Sequence, residues 1–154
     1  MSILARLAGG TTMKDPREGA RGHNALTAED INLAVSLLPP IDAAILMAGH
    51  IQQPPPPDQF IAILKTLEAE MYHEWKKQKL GKVDPSKLEA MAEIAWAEFA
   101  TGQRLTEEQK ALECEMGCYN TWAYRYRKVY PAATGYLSER ERVSYSRVKS
   151  ACYL

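Results

Sequence analysis

No uninterrupted apolar run in this chain approaches the ~20 residues a membrane-spanning helix needs, so no membrane span is expected. The opening Met-Ser-Ile-Leu-Ala-Arg-Leu-Ala-Gly-Gly has a short apolar run broken by Arg6, which does not suit a secretory signal. The expected location is therefore cytoplasmic. Cysteine is scarce: Cys114, Cys118 and Cys152. An odd, small number argues against a disulfide framework and suits a reducing compartment. Histidine is equally scarce, with three residues in three separate segments. The phosphate-cradling GxxxxGK[ST], the dinucleotide GxGxxG and the nucleophile-elbow GxSxG patterns are all missing. No segment shows strand alternation bounded by hairpin turns.

The remaining polar residues do not suggest an enzyme. Cys114-Glu-Met-Gly-Cys118 has no second cysteine pair or nearby histidine. A four-ligand zinc site would need Cys152 and a distant histidine as well, and thiols on helix faces near the core are the simpler reading. His73-Glu74 is not a zinc-protease motif, because position 77 is lysine. The carboxylates Glu68, Glu70, Glu74, Glu89, Glu93 and Glu98 read as solvated helix faces, since the Glu-x-x-His of bundle metal sites is missing. No catalytic residue, metal or cofactor is expected.

Net charge is zero, but its distribution is uneven. Residues 119–152 hold seven bases against two acids, so the rest of the chain has 17 acids and 12 bases. Such a dipolar chain can offer a basic face to nucleic acid and an acidic one to a protein.

In order, residues 1–25 are Gly-rich and without sustained periodicity, and read as a flexible arm. Residues 26–154 read as a single helical domain, with a helical body over 26–118 and a basic helix-turn-helix over 119–154. Thr27-Ala-Glu-Asp30 caps a first helix with Ile31, Val35 and Leu38 on one face, stopped by Pro39-Pro40. A second covers 41–51, where His50 reads as a solvated or capping residue. Pro54 to Pro57 form a stiff spacer. Asp58 is expected to cap the longest helix, to about Leu80, with Gly81 as its stop. Its stripe is Phe60, Leu64, Leu67, Met71 and Trp75, and Lys76, Lys77 and Lys79 suit the negative end of its dipole. Asp84-Pro85 opens the next, burying Leu88, Met91, Ala92, Ala95 and Phe99, with Gly102 closing it. Thr106-Glu-Glu-Gln109 is a capping box for a short helix with Leu105, Leu112 and Met116 on its apolar face. The expected fold class is all-α, a compact bundle of about six or seven helices.

The basic stretch reads as helix, turn and helix. Pro131 and Gly135 punctuate the turn, and Ser138 with Glu141 fits a capping box for a helix over 138–152. At 100° per residue, Leu137, Tyr145, Val148, Ala151 and Cys152 share one arc. Arg140 and Arg147 lie on one shoulder, Arg142 and Lys149 on the other. An apolar base under basic shoulders is how helix-turn-helix proteins present a reading helix to the major groove.

From Leu26 to Cys152 the chain resembles the Q antitermination proteins of lambda-like phages. The resemblance rests on ordered short similarities: Leu26-Thr27 with Asp30-Ile31; Asp58-Gln59-Phe60 followed by Leu64 and Leu67; Ala95-Trp96-Ala97-Glu98-Phe99; Tyr130-Pro131 between the two expected helices; and Tyr145 with Cys152. The chain departs from the family between Ala100 and Tyr119. Members carry a long zinc-binding insert with two CxxC pairs there, and this chain has a short segment with only Cys114 and Cys118.

The resemblance implies a transcription antitermination factor in the cytoplasm of a bacterial host. It would bind double-stranded DNA near a phage late promoter and engage paused RNA polymerase through the sigma factor and the flap region. It would then promote terminator readthrough. On this chain it places base reading on Arg140, Arg142, Arg147 and Lys149, and backbone contacts on Arg125, Arg127 and Lys128. The more acidic 58–116 body would face the polymerase. The alternative reading is a helical DNA-binding or protein-binding adaptor, such as a phage packaging or assembly component, without antitermination activity.

Overall fold

The structure is a computed structural model that describes residues 27–153; the expected 1–25 arm lies outside the described residues. The described residues form seven α-helices and one 3-10 turn, with no strand. The helices are α1 (Ala28–Ser36), α2 (Pro40–Ile51), α3 (Pro57–Lys77), α4 (Pro85–Thr101), α5 (Glu107–Glu113), α6 (Tyr119–Tyr124) and α7 (Tyr130–Cys152), and the 3-10 turn is Tyr126–Lys128. The fold class is all-α, as the periodicity predicts. Two compact units divide the described chain: residues 56–139, and residues 27–55 with 140–153.

In the unit of 27–55 and 140–153, Thr27 and Asp30 form a reciprocal capping box that starts α1. Pro39-Pro40 ends the helix and begins the next, because proline in a first turn loses no intrahelical hydrogen bond. Ile31, Ala34, Leu38, Leu46 and Val148 form the core, with Val35, Met47, Tyr145 and Cys152 against it. His50, in the last turn of α2, is half-buried and stacks on Tyr145 with ring centroids 4.7 Å apart.

In the unit of 56–139, α3 buries Ile63, Leu67, Met71 and Trp75 and packs against α4. Its start differs from expectation. Pro56 is the N-cap and Pro57 the first residue, so Asp58 sits in the first turn and is not the cap. Its end also differs. Lys79 adopts a left-handed φ of 55°, and the carbonyls of Trp75 and Lys76 accept the N–H groups of Leu80 and Lys79 at 3.3 and 3.2 Å. This Schellman closure ends the helix before Gly81 is reached. Gly81, at φ 93°, turns the chain again and presents its carbonyl to the Trp75 indole N–H at 2.7 Å.

The boundaries of α4 follow its sequence signals; of its expected buried face Phe99 is only half-buried, and Ile94 and Trp96 are buried as well. Asp84 caps it, Pro85 opens it and Gly102 closes it at φ 74°. The hydrogen bonds that Ser86 donates hold the Asp84 carboxyl below its ordinary pKa. α5 begins at the expected Thr106/Gln109 capping box. Its buried face is not the expected one, because Leu112 is 75% exposed and Leu105 is also exposed. Lys110, Ala111 and Cys114 are buried in their place. A buried lysine is tolerated because its ammonium has partners. It lies 3.3 Å from Glu98 and 4.4 Å from the centroid of the Tyr130 ring. Glu98 is accordingly not a solvated carboxylate. It accepts the Tyr130 hydroxyl and the Leu105 N–H (2.7 Å).

The largest difference lies in the basic stretch. The expected turn over Pro131 to Gly135 is helix, and α7 runs unbroken from Tyr130 through Cys152. Pro131 stands in its first turn, where its missing N–H costs nothing. Gly135 costs about 1 kcal/mol relative to alanine. Burial of Ala133 and Leu137, both fully buried, outweighs it; a buried leucine alone contributes roughly 1.5–3 kcal/mol. Ser138 is therefore a mid-helix residue, not an N-cap. The break comes earlier, at Arg125 (φ −126°, ψ −74°). Trp122, Tyr126, Val129 and Tyr130 are all buried around this break, at a spacing that one continuous helix would also bury, yet 119–130 forms a short helix and a 3-10 turn.

Candidate nucleic-acid interface

The seven basic residues singled out by sequence fall into two groups. Arg125, Arg127 and Lys128 belong to the unit of 56–139; Arg140, Arg142, Arg147 and Lys149 belong to the other.

In the second group, α7 turns Ser144 and Val148 inward, with Tyr145 and Cys152 against the core. Arg142, Arg147 and Lys149 are exposed on the remaining surface. The facial sorting differs from the sequence reading at Ala151, which is exposed, and at Ser144, which is buried although the expected arc leaves it out. Arg140 differs from its neighbours. Its Nε donates to Asp42 Oδ1 at 2.9 Å and its Nη2 donates to Asp42 Oδ2. The Asp42 side chain is 6% exposed and that of Arg140 29%. This fork-to-fork geometry is the strong form of the ion pair, so Arg140 ties α7 to α2 and its charge is largely neutralised where it stands.

In the first group, the Arg127 guanidinium lies 3.7 Å from Glu107. Glu107 also accepts the Trp122 indole N–H at 2.7 Å. Arg125 and Lys128 are exposed, and neither forms an ion pair among the described residues. The turn that carries them packs on the end of α3. The Trp75 and Tyr126 rings lie 4.6 Å apart. The Tyr126 hydroxyl oxygen accepts the Asp84 N–H at 3.0 Å. The Gln78 amide donates to the Lys128 carbonyl at 3.2 Å, and Arg125 Nη2 lies 3.7 Å from where a Cβ on Gly81 would be.

These contacts bring Lys76, Lys77, Lys79 and Lys82 into the neighbourhood of Arg125 and Lys128. By sequence the first three suit the helix dipole, and Lys82 carries no assigned role. The overlooked signal is density: residues 76–82 hold four lysines and no acid. The dipole argument covers only Lys76 and Lys77, because Lys79 and Lys82 lie beyond the α3 C-cap.

One cavity of about 340 Å³ opens elsewhere in this unit, lined by Glu98, Arg104, Lys110, Tyr130, Thr134 and Ser138 among others. Its buried polar groups are mutually engaged. Burial and the hydrogen bond to Glu98 push the Tyr130 hydroxyl pKa well above its ordinary value, so it stays a donor. The cluster is a satisfied core network. The two candidate zinc thiols differ in setting: Cys114 is buried and Cys118 exposed.

Neither protein-family models, curated proteins nor solved structures give a match to this chain.

Proposed function

We propose that this protein is a DNA-binding transcription antitermination factor, similar in action to the Q proteins of lambda-like phages. The observation that supports this most is the exposure of Arg142, Arg147 and Lys149 on the two shoulders of a helix whose base is anchored by Val148. On this reading the 140–152 part of α7 is the DNA-facing element of its unit, and Arg147 contacts base edges or phosphates. Arg140, held by Asp42, positions the helix and does not read DNA. Arg125 and Lys128 contact the phosphate backbone, and the acidic surface of the 58–116 body, away from its lysines at 76–82, faces RNA polymerase.

The test is run-off transcription with purified bacterial RNA polymerase, on a template that joins the cognate late promoter to an intrinsic terminator. Protein-dependent readthrough that disappears when the DNA upstream of the pause is scrambled supports the proposal. Unchanged termination, with DNA binding only at low salt, removes antitermination and favours the adaptor.

A further inference from the structure

The basic surface on the unit of 56–139 is made from two chain segments that are remote in sequence. Lys76 and Lys77 close α3, Lys79 and Lys82 follow its C-cap, and Arg125 and Lys128 come from the break before α7. All six are exposed. Neither 75–82 nor 124–130 contains a carboxylate. The nearest acids in sequence are already used: Glu74 accepts the Gln78 amide (2.9 Å) and Asp84 caps α4. Arg127, the remaining cation of the turn, pairs with Glu107. None of the six makes an ion pair among the described residues. Lys76 also lies over the Tyr72 ring, its ammonium 5.1 Å from the centroid. Six like charges placed together repel one another, a cost that salt screens and a polyanion laid over them relieves, and Lys79 and Lys82 hold positions the helix dipole does not reward.

We propose that Lys76, Lys77, Lys79, Lys82, Arg125 and Lys128 form a second DNA contact, one that follows the phosphate backbone of duplex DNA without reading its sequence. This deepens the DNA-binding part of the function proposed above and does not depend on antitermination. Five of the six are lysines, compact charges on flexible stems that accept a phosphate in many registers. Such groups set affinity and orientation, while sequence is read elsewhere. The surface is held firm beneath its mobile charges. Trp75 and Tyr126 are buried against one another, and the Gln78 and Tyr126 hydrogen bonds fix the two segments.

Binding of the full chain to a mixed-sequence 30-base-pair duplex, followed by fluorescence anisotropy across a potassium chloride series, tests this. The double variant Lys79→Gln/Lys82→Gln is compared with Lys65→Gln/Arg104→Gln, which removes equal charge from exposed positions of the same unit outside the surface. Each lost phosphate contact lowers the magnitude of the log K against log salt slope by about 0.9. The first variant is expected to flatten the slope by about 1.8, and the second to leave it near that of the wild type. Circular dichroism confirms that both are folded. Equal slopes in the two variants, no binding by the wild type at the lowest salt, or tighter binding of a single strand of the same length would each overturn the proposal. Readthrough does not enter the assay, so a failure of antitermination and a failure of this surface are separately visible.

Discussion

Gly135→Ala is the substitution that most directly tests the unbroken α7. Gly135 lies inside the helix, with no atom within 4 Å of where a Cβ would be. Alanine there gains helix propensity and removes conformational freedom from the unfolded chain, without a clash. The expected gain is about 1 kcal/mol. For a chain of this length that raises Tm by roughly 2–4 °C. In urea the midpoint moves up by about 0.4 M at an m-value near 2.5 kcal/mol/M, with m unchanged. Far-UV circular dichroism follows the helices. Tryptophan fluorescence follows the unit of 56–139, where Trp75, Trp96 and Trp122 are buried. Gly102→Ala supplies the opposite sign. Its φ of 74° is left-handed and its surroundings are equally open, so only backbone strain acts. It should cost about 1–2 kcal/mol. A turn at Gly135 in the left-handed region would make both variants lose stability. A loss of 1 kcal/mol or more in Gly135→Ala would therefore refute the continuous helix.

Further outcomes follow from the same structure. Arg140→Ala should lower stability by about 2 kcal/mol, because it leaves the Asp42 carboxylate without its bidentate partner. Arg147→Ala should leave the unfolding free energy within about 0.5 kcal/mol of wild type and weaken DNA binding; the reverse pattern would exchange their assigned roles. Glu115 ends α5 at a left-handed φ of 54°, so Glu115→Gly should stabilise by about 1 kcal/mol in the same denaturation assay. Burial pushes the Cys114 thiol up to about 11. A folded pKa raised above the unfolded value near 8.5 gives a contribution fully present below that value and lost as pH rises through the folded one. Wild-type stability should therefore fall between about pH 8.5 and 11, and less steeply in Cys114→Ala. At pH 8, a thiol reagent should label the exposed Cys118 rapidly and Cys114 only as fast as the chain opens.

Local signals in the sequence determined most of the elements. Thr27/Asp30, Asp84-Pro85, Gly102 and Thr106/Gln109 act within one helical turn, and each marks the boundary the chain adopts. The α3 stripe of Leu67, Met71 and Trp75 and the all-α class were legible for the same reason, since periodicity is a local property. The clustering of bases over 119–152 was visible by counting. Tertiary structure decided what competing local signals left open. Pro131, Gly135 and Ser138 spell a turn, but burial of Ala133 and Leu137 favours helix, and buried area is known only once the packing partner is in place. It also decided which charges are spent. Arg140 and Asp42 are 98 residues apart in sequence, and Glu98, Lys110 and Tyr130 meet from three helices. The lysines after Trp75 become part of a larger basic surface only because Tyr126 packs on that indole and brings Arg125 and Lys128 with it. Burial, and the long-range pairs it forces, sum over the whole fold, and no window of sequence contains them.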